Sequence, residues 1–309
     1  MTRPSAGSPS AMQSPTVPRQ EPVGHPPPPG GGPVLHRPAR PALAAAPREQ
    51  RAGRLRRWLL SLSGVLACLG LWHLATLGNS RTDISGPLLV AEGLRELLAQ
   101  GVLQKNVVAS LFRVAWGFVL AATAGIPLGI LLGRSAGANS ALDPVVQILR
   151  PISPIAWLPI STLLFGGVTF FDPADVSSIF LIFLAAFFPI VTATRAAVRA
   201  IDPRYLRSAQ NFGVEGMELV RLVILPAALP QILTGLRLAL GIAWVVVVAA
   251  EMLGVQSGLG FQVNDARNNL RYDLVIAAMV MIGIIGLLLD RLMTAVETAV
   301  LRRRGIVRR

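Results

Sequence analysis

Residues 204–226, RYLRSAQNFGVEGMELVRLVILP, form a water-compatible stretch set between hydrophobic segments long enough to cross a bilayer. Charges stand at Arg204, Arg207, Glu215, Glu218 and Arg221, and the stretch closes on Leu225-Pro226. Asp202-Pro203 just ahead of it supplies a helix N-cap with proline at the first helical position. Gly213 is placed to take the left-handed conformation that ends one helix and turns the chain into the next. Beyond it, Met217, Val220, Val223 and Ile224 are expected on one apolar face, with Glu215, Glu218 and Arg221 elsewhere. Pro226 and Pro230 are expected to stop that helix and start the following span. The stretch therefore reads as an elbow: a short helix, a glycine turn, and an amphipathic helix leading into a membrane segment.

Composition agrees with a membrane setting. The chain has 309 residues, 52% of them hydrophobic and only 15% charged, well outside the balance of soluble domains. That length holds one bundle of about five to seven spans at roughly 20 residues each. The net charge of +13 would suit nucleic acid if it covered one solvated surface. Instead the arginines sit in short blocks beside apolar runs, so no nucleic-acid partner is expected and the charge is read as orienting helices in a bilayer. One cysteine, Cys68, excludes an internal disulfide, and His25, His36 and His73 lack the spacing of metal ligands.

Along the chain, residues 1–50 are rich in Pro, Gly, Ser and Ala, too poor in apolar surface to offset chain entropy, and are read as a disordered head. Residues 51–309 are read as one transmembrane domain. It opens with an anchor over 58–77, preceded by Arg51, Arg54, Arg56 and Arg57, and too long for the core of a signal peptide. Five further spans are placed near 107–132, 152–168, 176–198, 233–253 and 274–289, the last continuing as helix into Val300. The expected fold class is all-α: a polytopic bundle of six transmembrane helices. Arg134, Arg150, Arg195, Arg199, Arg204, Arg207 and Arg221 mark alternate connections, and Arg302, Arg303, Arg304, Arg308 and Arg309 the tail. By the positive-inside rule both termini and the elbow are then cytoplasmic.

Several further segments extend the pattern. RVAWGF (113–118), GIPLGILLGRS (125–135), LDPVVQILRPISPIAWLPISTLLFG (142–166), LIFLAAFFPI (181–190), LPAALPQILTGLRLALGIAWVVVVAAEML (225–253) and SGLGF (257–261) follow in order. Together with the elbow they resemble the permeases of ABC importers, in the branch that carries nitrate, sulfonates and taurine. The resemblance implies an anchor plus a five-helix type I permease core and transport of a small anionic solute. It also implies location in the bacterial plasma membrane. It makes the elbow a coupling helix that docks into a cytoplasmic ATPase dimer, through Arg207, Ser208, Ala209, Gly213, Leu225 and Pro226. The family's loop opens with an acid and two alanines where this chain has Arg207, Ser208 and Ala209, which implies a partner groove offering an acid or a neutral acceptor. The implied partners are that ATPase, a second permease copy, an extracytoplasmic binding protein and the lipid bilayer. ATP and magnesium belong to the ATPase, so no cofactor and no catalytic residue are expected here.

Three residues are candidates for the translocation pathway. Glu251 is an ionisable group that follows VVVVAA near the outer end of its span, either gating the pathway or paired with an arginine such as Arg267 or Arg113. Trp157 and Trp244 either line the path or serve packing. Arg237, in the first turns of the same span as Glu251, is read as an anchor snorkelling to the membrane surface. The alternative reading is an ion-coupled secondary transporter working without an ATPase, but no second copy of the Pro/Gly-broken pattern at 154–167 is found. An intramembrane enzyme lacks a nucleophile–base pair or metal ligands within the spans.

Overall fold

The computed structural model describes residues 60, 63–76 and 85–305, and every regular element among them is helical. The proline-rich stretch 1–50, the whole arginine block before the anchor and residues 306–309 lie outside the described residues. Within the unit Leu62–Arg309, α1 (Ser63–Thr76) and α2 (Pro87–Ala99) precede the long α3 (Val102–Arg134). Next come α4 (Ala136–Leu149), a 3-10 turn (Pro154–Trp157) and α5 (Leu158–Phe165). Then follow α6 (Pro173–Arg199), α7 (Pro203–Asn211), α8 (Gly216–Leu219), a π segment (Val220–Ile224) and α9 (Leu225–Gly254). The chain ends on α10 (Leu259–Asn268) and α11 (Tyr272–Arg303).

Among the described residues, four helices are long and apolar enough to cross a bilayer, and α4 with α5 makes a fifth if that bent pair is one span. The anchor is seen only as the shorter apolar helix α1. The span expected over 152–168 takes a different form. Its first half is α4, which begins 16 residues earlier, and the chain bends by 89° before α5. Pro151, Pro154 and Pro159 cluster at the bend. Each lacks the N–H that would continue the helical ladder and crowds the turn before it.

Small residues set the packing. Along α3, Gly117, Gly125, Gly129 and Gly133 face Ile182, Ile190, Thr194 and Val198 of α6. Each pair is offset by the same number of residues, so the two helices run parallel and in register. A Cβ built on Gly129 would lie 2.5 Å from the Thr194 Cβ, and one on Gly133 2.6 Å from the Val198 Cβ. Backbones approach this closely only where the side chain is a hydrogen, the four-residue small-residue spacing that joins membrane helices. A Cβ on Gly235 would likewise overlap Ala193, drawing α9 against α6. Because α3 and α6 both descend toward the elbow, α4 and α5 carry the chain back up between them, and α9 and α11 form the last pair of passes.

The elbow has the expected caps. The Asp202 carboxylate accepts the Arg204 N–H at 2.8 Å, and Pro203 opens α7. Gly213 has φ +78°. Its N–H donates to the Gln210 carbonyl at 2.9 Å and that of Val214 to Ala209 at 3.1 Å, a Schellman turn with glycine at its left-handed position. Gly216, at φ +58°, is a second left-handed glycine that the sequence reading passed over. The amphipathic face beyond it also differs from expectation. Leu219 and Ile224 are the buried pair, five residues apart, while Met217 is exposed. The π segment Val220–Ile224 widens the turn there, so a 3.6-residue period misassigns the face. Pro226 does not end the helix: Gly216–Gly254 runs unbroken for 39 residues. The π turn precedes Pro226, where an α-turn would drive the ring into the carbonyl four residues back.

Candidate functional site

The elbow end and the opposite end of the bundle each carry a built polar or amphipathic constellation. At the elbow, Leu206, Ala209 and Val214 pack with Leu219 and Ile224 on Ala197 and Val198 of α6. This pins one side of α7 and turns the other outward. Arg207, Ser208 and Gly213 are exposed; Leu225 and Pro226 are half-buried. Tyr205 and Phe212 are exposed as well, Phe212 at 85%, and neither aromatic was singled out from sequence. Arg207 makes no ion pair among the described residues. The Arg134 guanidinium donates to the Gly216 carbonyl at 2.9 Å, tying the end of α3 to the elbow.

The opposite end is held by a buried network around Arg113, about 30 Å along α3 from Arg134 at 1.5 Å per residue. Arg113 is 2% exposed and Glu251 fully buried. Arg113 Nη1 donates to Glu251 Oε1 at 2.6 Å and to the Ser257 carbonyl at 2.9 Å. Its Nε donates to Asp175 Oδ1 at 2.8 Å, and Nη2 to the Ser257 hydroxyl at 2.5 Å. Glu251 Oε2 also accepts from the Ser110 hydroxyl at 2.8 Å and the Gly260 N–H at 3.0 Å. Asn106 completes the set, donating to Gln262 at 2.9 Å and accepting the Gly258 N–H at 3.0 Å. A buried charge is tolerable when paired and fully hydrogen-bonded, as here. Of the two arginines considered for Glu251, Arg113 is its partner.

The glycines of SGLGF explain themselves against this network. Gly258 has φ +103°, and a Cβ there would overlap the Glu251 carboxylate; one on Gly260 would overlap the Val248 carbonyl. The loop thus closes over the carboxylate only with hydrogens at both positions. Asp175, Ser110, Asn106 and Gln262 were missed from sequence because each is an ordinary polar residue until the helices converge. At the same end, Arg271 donates to Glu96 and Asp273, each at 2.7 Å, joining α2 to the corner before α11. Those hydrogen bonds, Asp273 first, raise the guanidinium further above its ordinary value.

The remaining pathway candidates lie between these ends. Trp244 is buried, its indole donating to the Ile282 carbonyl at 3.1 Å across the α9–α11 contact. Trp157 is half-buried, packing against Leu181, Ala185, Val246 and Ala250 while also lining a cavity. Arg237, expected as an anchor, is partly exposed and forms a two-pronged pair with Asp290 of α11, at 2.7 and 2.9 Å. Arg195 pairs with Asp143, fastening α4 to α6. No three His, Cys, Asp or Glu side chains converge as a metal site among the described residues.

Comparison with known proteins places this geometry. Residues 125–302 match the family model described as a binding-protein-dependent transport system inner membrane component. The bicarbonate transport system permease protein CmpB of Synechococcus elongatus is 38% identical over 272 residues, 82% of this chain and 95% of that protein. The nitrate import permease protein NrtB of Leptolyngbya laminosa is 36% identical over 256 residues, 80% of this chain and 88% of its own length. Among solved structures, the inward-facing MetNI methionine ABC transporter shares the fold with a TM-score of 0.52 at 20% identity, covering 72% of this chain and 98% of that one. A bacterial ABC transporter involved in alginate import does so at a TM-score of 0.52 and 18% identity, covering 81% of this chain and 99% of that one. The chain belongs to the binding-protein-dependent transport family, as an inner-membrane permease component of ABC importers.

Proposed function

We propose that two copies of this chain form the membrane channel of an ATP-driven importer for a small anion. A separate ATPase dimer docks on the elbow and its closure drives alternating access. The observation that carries this reading is the elbow itself. Its exposed face presents Arg207, Ser208, Tyr205 and Phe212. Beyond the Gly213 turn, the elbow continues into the 39-residue helix Gly216–Gly254. At 1.5 Å per residue such a rod is about 58 Å long, so a push on α7 is delivered across the whole bundle. The chain would bind no ATP or magnesium; those belong to the ATPase.

Orientation follows from charge. Arg134, Arg195, Arg199, Arg204, Arg207, Arg221 and Arg302–Arg304 gather at the elbow end, which is assigned to the cytoplasm. The Arg113 network then lies toward the outside, where a binding protein delivers the solute. Glu251 is best read as the anchor that holds α10 on α3, with Trp157 nearer the path. Bicarbonate and nitrate, the cargoes in the names of the two relatives, are both small anions and support that solute class.

The test is assembly and topology. Co-expressed ATPase subunits of the same genome should co-purify with this chain, and Phe212→Glu should abolish that. In a Cys68→Ser background, Ser208→Cys should react only with reagent on the cytoplasmic side and Asp172→Cys only from outside. Uptake by the purified chain alone, driven by an ion gradient with no ATPase, would overturn the proposal in favour of a secondary transporter.

A further inference from the structure

We propose that the cavity between the α4–α5 bend, α6 and α9 is an anion site on the translocation path, with the Arg150 guanidinium as its charged group. The site and its residues go beyond the importer reading, and their place on the path rests on it. The cavity holds about 250 Å³ and is lined by Arg150, Trp157, Leu184, Phe188, Pro189 and Ile242, among others. Arg150 is its one charged lining residue. By sequence it marks a connection outside the membrane. In the structure it faces the middles of two spans: Pro189 lies about 24 Å and about 15 Å from the two ends of α6, and Ile242 about 25 Å and 18 Å from those of α9.

An ionisable group at that depth is costly and is tolerated where it lines a cavity or finds a partner. Three arginines of the long helices have acids: Arg113 has Asp175 and Glu251, Arg195 has Asp143, and Arg237 has Asp290. Arg150 has no ion pair or side-chain hydrogen bond among the described residues. It caps α4, whose last carbonyls present the negative end of the helix and favour a cation there. Irregular backbone at such depth belongs beside a cavity, as the broken α4–α5 pair is here. The volume suits a small anion with several waters, at about 30 Å³ per water. One guanidinium against apolar and aromatic walls attracts an anion without holding it, which a pathway requires.

Ile242→Cys, in the Cys68→Ser background, puts a thiol on the cavity wall of the full-length chain in membrane vesicles. An anionic methanethiosulfonate should modify it about tenfold faster, relative to a cationic one, than it modifies an exposed control on α3 outside the cavity such as Val108→Cys. Arg150→Gln should erase that ratio and Arg150→Lys should keep it. Nitrate should slow the anionic reagent in wild-type background and not with Arg150→Gln, whereas an anionic lipid headgroup as the occupant would leave the rate insensitive to nitrate and would overturn the proposal. An equal ratio with and without Arg150 overturns the site. In the assembled transporter, Arg150→Gln should cut nitrate or bicarbonate uptake at least tenfold while the ATPase still co-purifies; undiminished uptake of the transported anion removes the site from the path. Failure of any ATPase to co-purify with wild type would sink the importer reading and leave the labelling result standing.

Discussion

Adding a single methyl group at Gly129 tests whether α3 and α6 are locked in parallel register by glycine. The new Cβ of Gly129→Ala would meet the Thr194 Cβ at 2.5 Å, its Cγ2 at 2.9 Å and the Val191 carbonyl at 2.9 Å. Ordinary carbon contacts begin near 3.5 Å, so the helices must part by roughly 1 Å or bend. Overpacking of this kind costs about 1–3 kcal/mol. Alanine also gains up to about 1 kcal/mol over glycine in helix propensity, and that part must be cancelled. Gly241→Ala cancels it, because Gly241 lies within α9 and a Cβ there has nothing within 4 Å. The difference between the two variants should therefore be about 1–3 kcal/mol, with Gly129→Ala the less stable. For a domain of this size 1 kcal/mol moves Tm by about 2–4 °C, so thermal unfolding of the detergent-purified protein should separate them by roughly 2–12 °C. Adding Thr194→Gly should recover part of the loss, a coupling energy that a non-contacting pair would lack. Equal Tm for Gly129→Ala and Gly241→Ala would refute the register.

Other outcomes follow from the two ends. Gly213→Val forces a β-branched residue to φ +78°, a strain of about 1–3 kcal/mol. Uptake and coupled ATPase activity should fall while abundance in the membrane is kept, and full transport would show that the turn is not needed. Glu251→Ala leaves the Arg113 guanidinium buried beside a void, and removing one partner of such a pair costs about 3–5 kcal/mol. Its abundance should collapse, whereas Asp175→Asn, which alters the partly exposed arm of the network, should lose much less; the reverse order in a thermal-stability assay would contradict the assignment of Glu251 as the anchor. Arg207→Glu should weaken recovery of the ATPase at low salt more than at high salt, since an exposed charged contact is screened. Equal recovery at both would leave Ala209, Gly213 and the exposed aromatics to carry docking.

Local chemistry determined a good deal by itself. Asp202-Pro203 and Gly213 announce a capped helix and a left-handed turn because capping and φ preferences depend on neighbours in the chain. The long apolar runs of α3, α6, α9 and α11 announce spans because their length is matched to a bilayer. Tertiary structure alone decided the rest. Glu251 had more than one arginine in reach of a sequence argument, and only the convergence of α3, α9 and α10 selects Arg113. The glycines of SGLGF and of α3 are unremarkable in sequence, since what forbids a side chain there is a carboxylate or a helix brought from far along the chain. The π segment shifted the apolar face from Met217 to Leu219 because a wider turn breaks the period from which faces are read. Arg150, counted by its neighbours as a marker of the membrane surface, was carried to mid-depth by a bend that three prolines permit and packing against α6 and α9 positions.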